Sequence, residues 1–184
     1  MDCRSFLLPL CMGFVVGIMV AEAVYYTFDP MILPEDAVKV VIDGEYCTRV
    51  SQLLSEAESS IHVAMFSMSR HTGREYTMSC ANRLISQLAA AHSRGVDVWV
   101  VMDEWPEGNE KAKAYLEEAN IPVTIIHGEG SLHNKLIIID GRIVVVGSTN
   151  WSYYSLERNH EANVILNNAG VAEELESYLR SIST

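Results

Sequence analysis

The chain has 184 residues, 49% of them apolar and 20% charged, which suits one sizeable core and excludes a disordered chain. Its formal net charge of −11 excludes a broad basic surface of the kind that grips duplex nucleic acid, while a local basic groove stays compatible with it. The four cysteines (Cys3, Cys11, Cys47 and Cys80) contain no C-x-x-C pair, so free thiols are expected and neither a disulfide framework nor a zinc site; a Cys47–Cys80 bridge would require an oxidising compartment.

Phe6 to Val20 is uniformly apolar, Glu22 interrupts it, and Ala23 to Phe28 continues it with Tyr25 and Tyr26. Carried through to Phe28, the run has the length of a membrane helix, about 20 residues. Stopped at Val20, it is a signal-peptide core, with Ala21-Glu22-Ala23 as the cleavage site. The uncleaved anchor is the first reading. Residues 1–28 are then anchor or signal, 29–37 a linker, and 38–184 a catalytic domain. Arg4 precedes the span, and Asp29, Glu35 and Asp36 follow it, so the positive-inside bias puts the domain outside the cytoplasm on a single-pass anchor. Cleavage would instead release it as a secreted or periplasmic protein, and an organelle outer-membrane anchor would leave it in the cytosol.

Val38 to Ile42 alternates as a first strand, closed by Asp43-Gly44. Val50, Leu53, Leu54 and Ala57 fall on one helical face and predict a helix over Tyr46 to Glu58. Ser60 to Met68 reads as a strand, and Ser69 to Ser79 as irregular chain. A helix over Cys80 to Ser93 turns Leu84, Ile85, Leu88 and Ala91 inward, with Gly95 as its stop. Val96 to Met102 is a continuous apolar run, the pattern of a strand buried on both faces. A helix over Glu107 to Ala119 ends near Asn120, and a strand at Val123 to Ile126 follows. Lys135 to Ile139 and Ile143 to Val146 are strands joined by Asp140-Gly141, a hairpin turn signal. A strand at Ala162 to Leu166 and an amphipathic helix at Val171 to Ile182 close the chain. Strands alternate with helices and then give way to a hairpin. The expected fold class is therefore α/β, a mixed β-sheet flanked by helices.

The chemistry lies between His133 and Asn150, a stretch that reads H-x-K-x4-D-x6-G-S-x-N. Side chains alternate along a strand, so His133 and Lys135 share a face, as do Ser148 and Asn150 in extended chain. An imidazole can attack phosphorus and form a covalent phosphoenzyme, while a lysine and polar donors take up charge on the non-bridging oxygens. Asp140 lies an odd number of residues from Lys135 and sits in an Asp-Gly turn context, which points to a structural role. Gly147 is expected to let the backbone approach a phosphate closely. No cluster of carboxylates or cysteines has ligand spacing, so neither a metal nor another cofactor is expected.

These six fixed positions resemble the HKD signature of the phospholipase D superfamily, with the likeness extending over about Val38 to Leu166. The resemblance implies a metal-independent phosphodiesterase with His133 as nucleophile and Lys135, Ser148 and Asn150 as donors. Asp140 belongs to the motif, and Glu161 matches the acidic position that would hold the His133 Nδ1 proton. The chain carries one copy of a motif that this family uses in pairs. The resemblance therefore implies a homodimer with its active site across the two-fold axis, the second His133 serving as general acid. Gly147 to Asn150 and Trp151 to Tyr154 are the interface candidates.

Short single-motif chains resemble a bacterial endonuclease branch and an animal mitochondrial cardiolipin-hydrolase branch. The latter carries a cysteine–histidine zinc insert after the second strand. This chain has only His71 and Cys80 there, which favours the endonuclease branch and single-stranded nucleic acid as substrate. The apolar N-terminal segment favours the second reading, hydrolysis of phospholipid headgroup esters. An inert membrane-tethered binding module is the third. Among the other histidines, His62 is expected in the core, His71 and His92 on exposed stretches, His127 in a loop within reach of substrate, and His160 outside the site. Trp105 and Trp151 follow strand ends, fit either to stack on substrate or to pack.

Overall fold

The computed structural model describes residues 33–73, 79–128 and 130–183. Seven strands form one sheet among these residues: β1 (Val38–Ile42), β2 (Ser60–Met65), β3 (Asp97–Asp103), β4 (Val123–Ile126), β5 (Lys135–Ile139), β6 (Ile143–Gly147) and β7 (Ala162–Asn167). The helices are α1 (Glu45–Glu56), α2 (Cys80–Ser93), α3 (Gly108–Glu118), α4 (Tyr153–Glu157) and α5 (Ala169–Ile182). The strand order is β1-β7-β6-β5-β2-β3-β4. β2, β3 and β4 run parallel, and every other neighbouring pair is antiparallel. The expected mixed sheet flanked by helices is therefore present.

Apolar alternation explains both layers. Ala64, Val101, Leu136, Ile138 and Val144 pack against Ala172 and Leu179 of α5, with Trp99, Val146 and Leu166 around them. Val63, Val100, Ile137, Val145 and Ile165 are register partners on the other face. α1 and α2 pack on each other there, burying Leu53, Leu54, Leu84, Ile85 and Leu88. Trp151, also expected as a possible stacking residue, is fully buried and donates its indole N–H to Tyr46 Oη at 3.1 Å.

Three features depart from the sequence reading. Cys47 and Cys80 form a disulfide across a separation of 33 residues, where free thiols were expected; α1 and α2 bring their Cα atoms to 5.9 Å. The short helix α4 was not foreseen, because five residues are too few to display a helical period; Ser152 caps it by accepting from Ser155 N. The end of the expected linker is bonded to the domain: Asp36 N donates to Asn167 O at 2.7 Å, and Asn167 Nδ2 donates to Leu33 O. Residues 1–28, expected as anchor or signal, lie outside the described residues. No helix among those described is long and apolar enough to cross a membrane.

Candidate active site

The strand directions bring the motif to one edge of the sheet. The C-terminal ends of β1, β2, β3, β4 and β6 meet the starts of β5 and β7 there. Lys135 opens β5 opposite Met65, and the ladder extends one step through Phe66 N donating to Asn134 O at 2.9 Å. His133, just ahead of the strand, is exposed, whereas Lys135 is buried. Lys135 Nζ donates to the His133 carbonyl at 2.9 Å and lies 5.0 Å from the centre of the Phe66 ring. The Phe66 ring in turn stands 4.8 Å from the His133 ring. Burial lowers the Lys135 pKa below the ordinary lysine value, and the negative charge of Glu161 opposes that shift. The ammonium is thus held largely out of water beside His133, where its charge is screened less than at an open surface.

Ser148 and Glu161 meet from β6 and β7. Ser148 Oγ donates to Glu161 Oε2 and accepts from Ala162 N at 3.1 Å. Asn159 Nδ2 donates to Glu161 Oε1 at 3.2 Å. The carboxylate does not hydrogen-bond His133 within the chain, so the expected orienting role is not seen there. Asn150 uses its Oδ1 to accept from Ser67 N at 3.2 Å, which leaves its amide donors for a substrate oxygen. Gly147 is required by β7: a Cβ would overlap the Ala162 carbonyl and Asn163. This packing constraint accounts for the glycine.

Asp140 is the motif member that the fold keeps away from the others. It ends the far side of β5 in the left-handed region, with φ 52°. Its Oδ1 accepts from Ser59 N at 2.7 Å, Ser60 N at 3.0 Å and Ser59 Oγ at 2.9 Å, and both oxygens take Glu58 N at 3.2 Å. Partial burial by itself would raise its pKa, but the donors of Ser59, Ser60 and Glu58 outweigh it and hold the carboxyl below the usual aspartate range. Asp140 therefore ties the β5–β6 turn to the start of β2, the structural role its turn context pointed to.

The other histidines divide as follows. His62 is buried, with Nδ1 2.5 Å from Glu176 Oε1 and Nε2 3.6 Å from Asp97 Oδ2, the satisfied core histidine that was expected. His127 is exposed and pairs through Nδ1 with Glu104 Oε2 at 2.5 Å, at the same sheet edge as His133. His160 pairs with Asp43 at 3.1 Å. Sequence reasoning missed Phe66, which nothing in the linear pattern ties to a histidine 67 positions later. Asp103 and Asn109, buried behind the His133 segment, carried no signal beyond ordinary polar residues at an element's end.

A cardiolipin synthase, PLD-like domain model matches residues 50–183. The chain belongs to the phospholipase D-like family. The H-x-K-x4-D-x6-G-S-x-N run lies within the matched residues. It is 28% identical to a phospholipase D of Rickettsia typhi, over 95% of this chain and 88% of that protein. It is 31% identical to a phospholipase D of Rickettsia prowazekii, over 73% of this chain but only 60% of the relative, and so spans less than two thirds of that protein. A mitochondrial cardiolipin hydrolase of Xenopus tropicalis is 28% identical over 65% of this chain and 51% of that protein. Among solved structures, the phospholipase D family member Nuc of Salmonella typhimurium superposes with a TM-score of 0.70 at 26% identity, covering 80% of this chain and 94% of Nuc.

Proposed function

We propose that this chain is a metal-independent phosphodiesterase that hydrolyses the headgroup ester of a membrane phospholipid as a homodimer outside the cytoplasm. His133 Nε2 attacks phosphorus, and the phosphorus–oxygen bond to the alcohol breaks. The alcohol takes its proton from the His133 imidazole of the second subunit, because one chain supplies one motif histidine. Water then attacks the phosphohistidine, its proton passing to that same second imidazole, and frees the phosphomonoester and His133. Lys135, Ser148 and Asn150 bear the charge on the non-bridging oxygens.

The observation that carries the choice of substrate is where the charges lie. Asp43, Glu104, Glu107, Glu157 and Glu161 ring the catalytic edge, against Arg70, Lys135 and Arg158. A polyanionic strand needs a cationic track along its backbone, whereas one lipid phosphate needs only Lys135 and its neighbours. The named phospholipase D and cardiolipin hydrolase relatives support the same reading. The Cys47–Cys80 bridge supports an oxidising compartment, reached through an N-terminal anchor or a cleaved signal.

Single-stranded nucleic acid, the first reading of the sequence, keeps one observation in its favour. Trp105 and Tyr154, 67% and 71% exposed, flank the catalytic edge as stacking platforms. Incubating the purified domain with phospholipid vesicles that include cardiolipin, and separately with labelled single-stranded DNA and RNA, decides between them. Release of headgroup alcohol with intact oligonucleotides is expected; oligonucleotide cleavage with inert vesicles would reverse the choice.

A further inference from the structure

Behind the exposed His133 lies a buried polar cluster that the motif does not include. Asp103, at the end of β3, is 1% exposed, and Asn109, in the first turn of α3, is 3% exposed. Asp103 Oδ2 accepts from Leu132 N at 2.6 Å, the residue directly before His133, and its Oδ1 accepts from Trp105 N at 2.9 Å. Asn109 Nδ2 donates to Phe66 O at 2.9 Å and to Asp103 O at 2.8 Å, while its Oδ1 accepts from Met68 N at 2.7 Å. Every polar atom of the two side chains is therefore spent on backbone groups that lead to the site.

Two of those groups bear on the nucleophile. Leu132 N fixes the backbone on which the His133 ring turns, and Phe66 O fixes the residue whose ring stands 4.8 Å from that imidazole. Phe66 also faces the Lys135 ammonium at 5.0 Å. A buried carboxylate and amide cost free energy to desolvate, and here they are satisfied solely by holding loops at the C-terminal ends of β2 and β3. An apolar side chain at either position would strand the backbone groups of Phe66, Met68 and Leu132, the groups that carry the site's segments.

We propose that Asp103 and Asn109 are positioning residues for the phosphodiesterase reaction, clamping the Leu132–His133 backbone and the Phe66 wall so that the His133 ring is aimed before substrate arrives. The inference rests on His133 being the nucleophile, but its geometry is read independently of turnover. Asp103→Asn places an amide N–H against one of two backbone N–H donors, and Asn109→Asp places an oxygen against the carbonyls of Phe66 and Asp103. Both changes keep side-chain volume and both release the clamp.

The test compares Asp103→Asn and Asn109→Asp with Leu116→Val, a buried change on α3 that touches none of these bonds. The His133 imidazole resonances and their titration are followed by NMR in the full domain, with thermal stability measured alongside. Shifted His133 ring signals and an altered titration in both clamp variants, with unchanged signals in Leu116→Val at similar thermal loss, support the proposal. Unaltered His133 signals in folded clamp variants overturn it, as does an equal shift in Leu116→Val. With turnover as a second readout, kcat falls by about a hundredfold at near-constant KM, the usual consequence of a nucleophile displaced by about 1 Å. Parent kcat in folded clamp variants overturns the positioning role. Loss of His133-dependent turnover in the parent itself strikes the proposed reaction instead, leaving the NMR comparison to decide the clamp.

Discussion

Replacing Asp140 separates the motif's structural residue from its chemical ones. Asp140→Ala removes the acceptor for the N–H groups of Glu58, Ser59 and Ser60 and for the Ser59 hydroxyl. Hydrogen bonds to a charged group contribute about 1.5–3 kcal/mol, and the exposed N–H groups regain water, so their loss costs about 2 kcal/mol. Alanine in the left-handed conformation adds about 1 kcal/mol. A total near 3 kcal/mol lowers Tm by about 6–12 °C in a domain of this size. Asp140→Asn tolerates the backbone and keeps one acceptor, so about half that shift is expected. Asp140 lies seven residues of extended chain from His133, about 23 Å, so kcat at 20 °C should stay within about twofold of the parent.

The pH dependence follows in sign. The folded carboxyl has a depressed pKa, so its stabilisation is full above the unfolded value of about 3.9 and fades as pH falls through the lower folded value. The Tm gap between parent and Asp140→Asn should therefore close in acid. Scanning calorimetry from pH 7 down to pH 2, with turnover measured on the same samples, checks both parts. A thousandfold loss of kcat in Asp140→Asn at parental Tm would refute the structural assignment.

Three further outcomes are expected. Cys47→Ser with Cys80→Ser should cost up to about 4 kcal/mol by loop entropy for a 33-residue separation, read by urea unfolding; reduction that leaves the midpoint unmoved would contradict the bridge. His62 has a raised pKa: burial disfavours its charge, but Glu176 and Asp97 outweigh burial. Its stabilisation is present below the unfolded value of about 6.5 and is lost as pH rises through the folded value, so the Tm advantage over His62→Gln should shrink on going alkaline. In mixed dimers of parent and His133→Ala chains, activity should fall as the square of the parent fraction, and a linear fall would show that one chain holds a complete site.

Periodicity and turn chemistry carried most of the fold. The Asp140-Gly141 turn and the apolar runs around it placed β5 and β6, and the capped run from Cys80 to Ser93 placed α2 to the residue. The disulfide was not legible, because a 33-residue separation says nothing of a 5.9 Å approach that depends on how two helices pack. Within the site, spacing alone put Lys135 beside His133 and parity alone removed Asp140. Glu161 bonds Ser148 and Asn159 within the chain, partners the sequence does not name, since a strand pattern does not encode which neighbour a carboxylate reaches. Net charge says nothing of where the charges lie; the fold places Asp43, Glu104 and Glu161 at the sheet edge that carries His133.

The central claim is a covalent bond between His133 and phosphorus. The domain is mixed in excess EDTA with a diester labelled at phosphorus, quenched within milliseconds in alkali, and digested for mass spectrometry. The account predicts a phosphohistidine at position 133, formed in a burst and absent from His133→Asn; turnover without any such adduct, or an adduct on another residue, would contradict it.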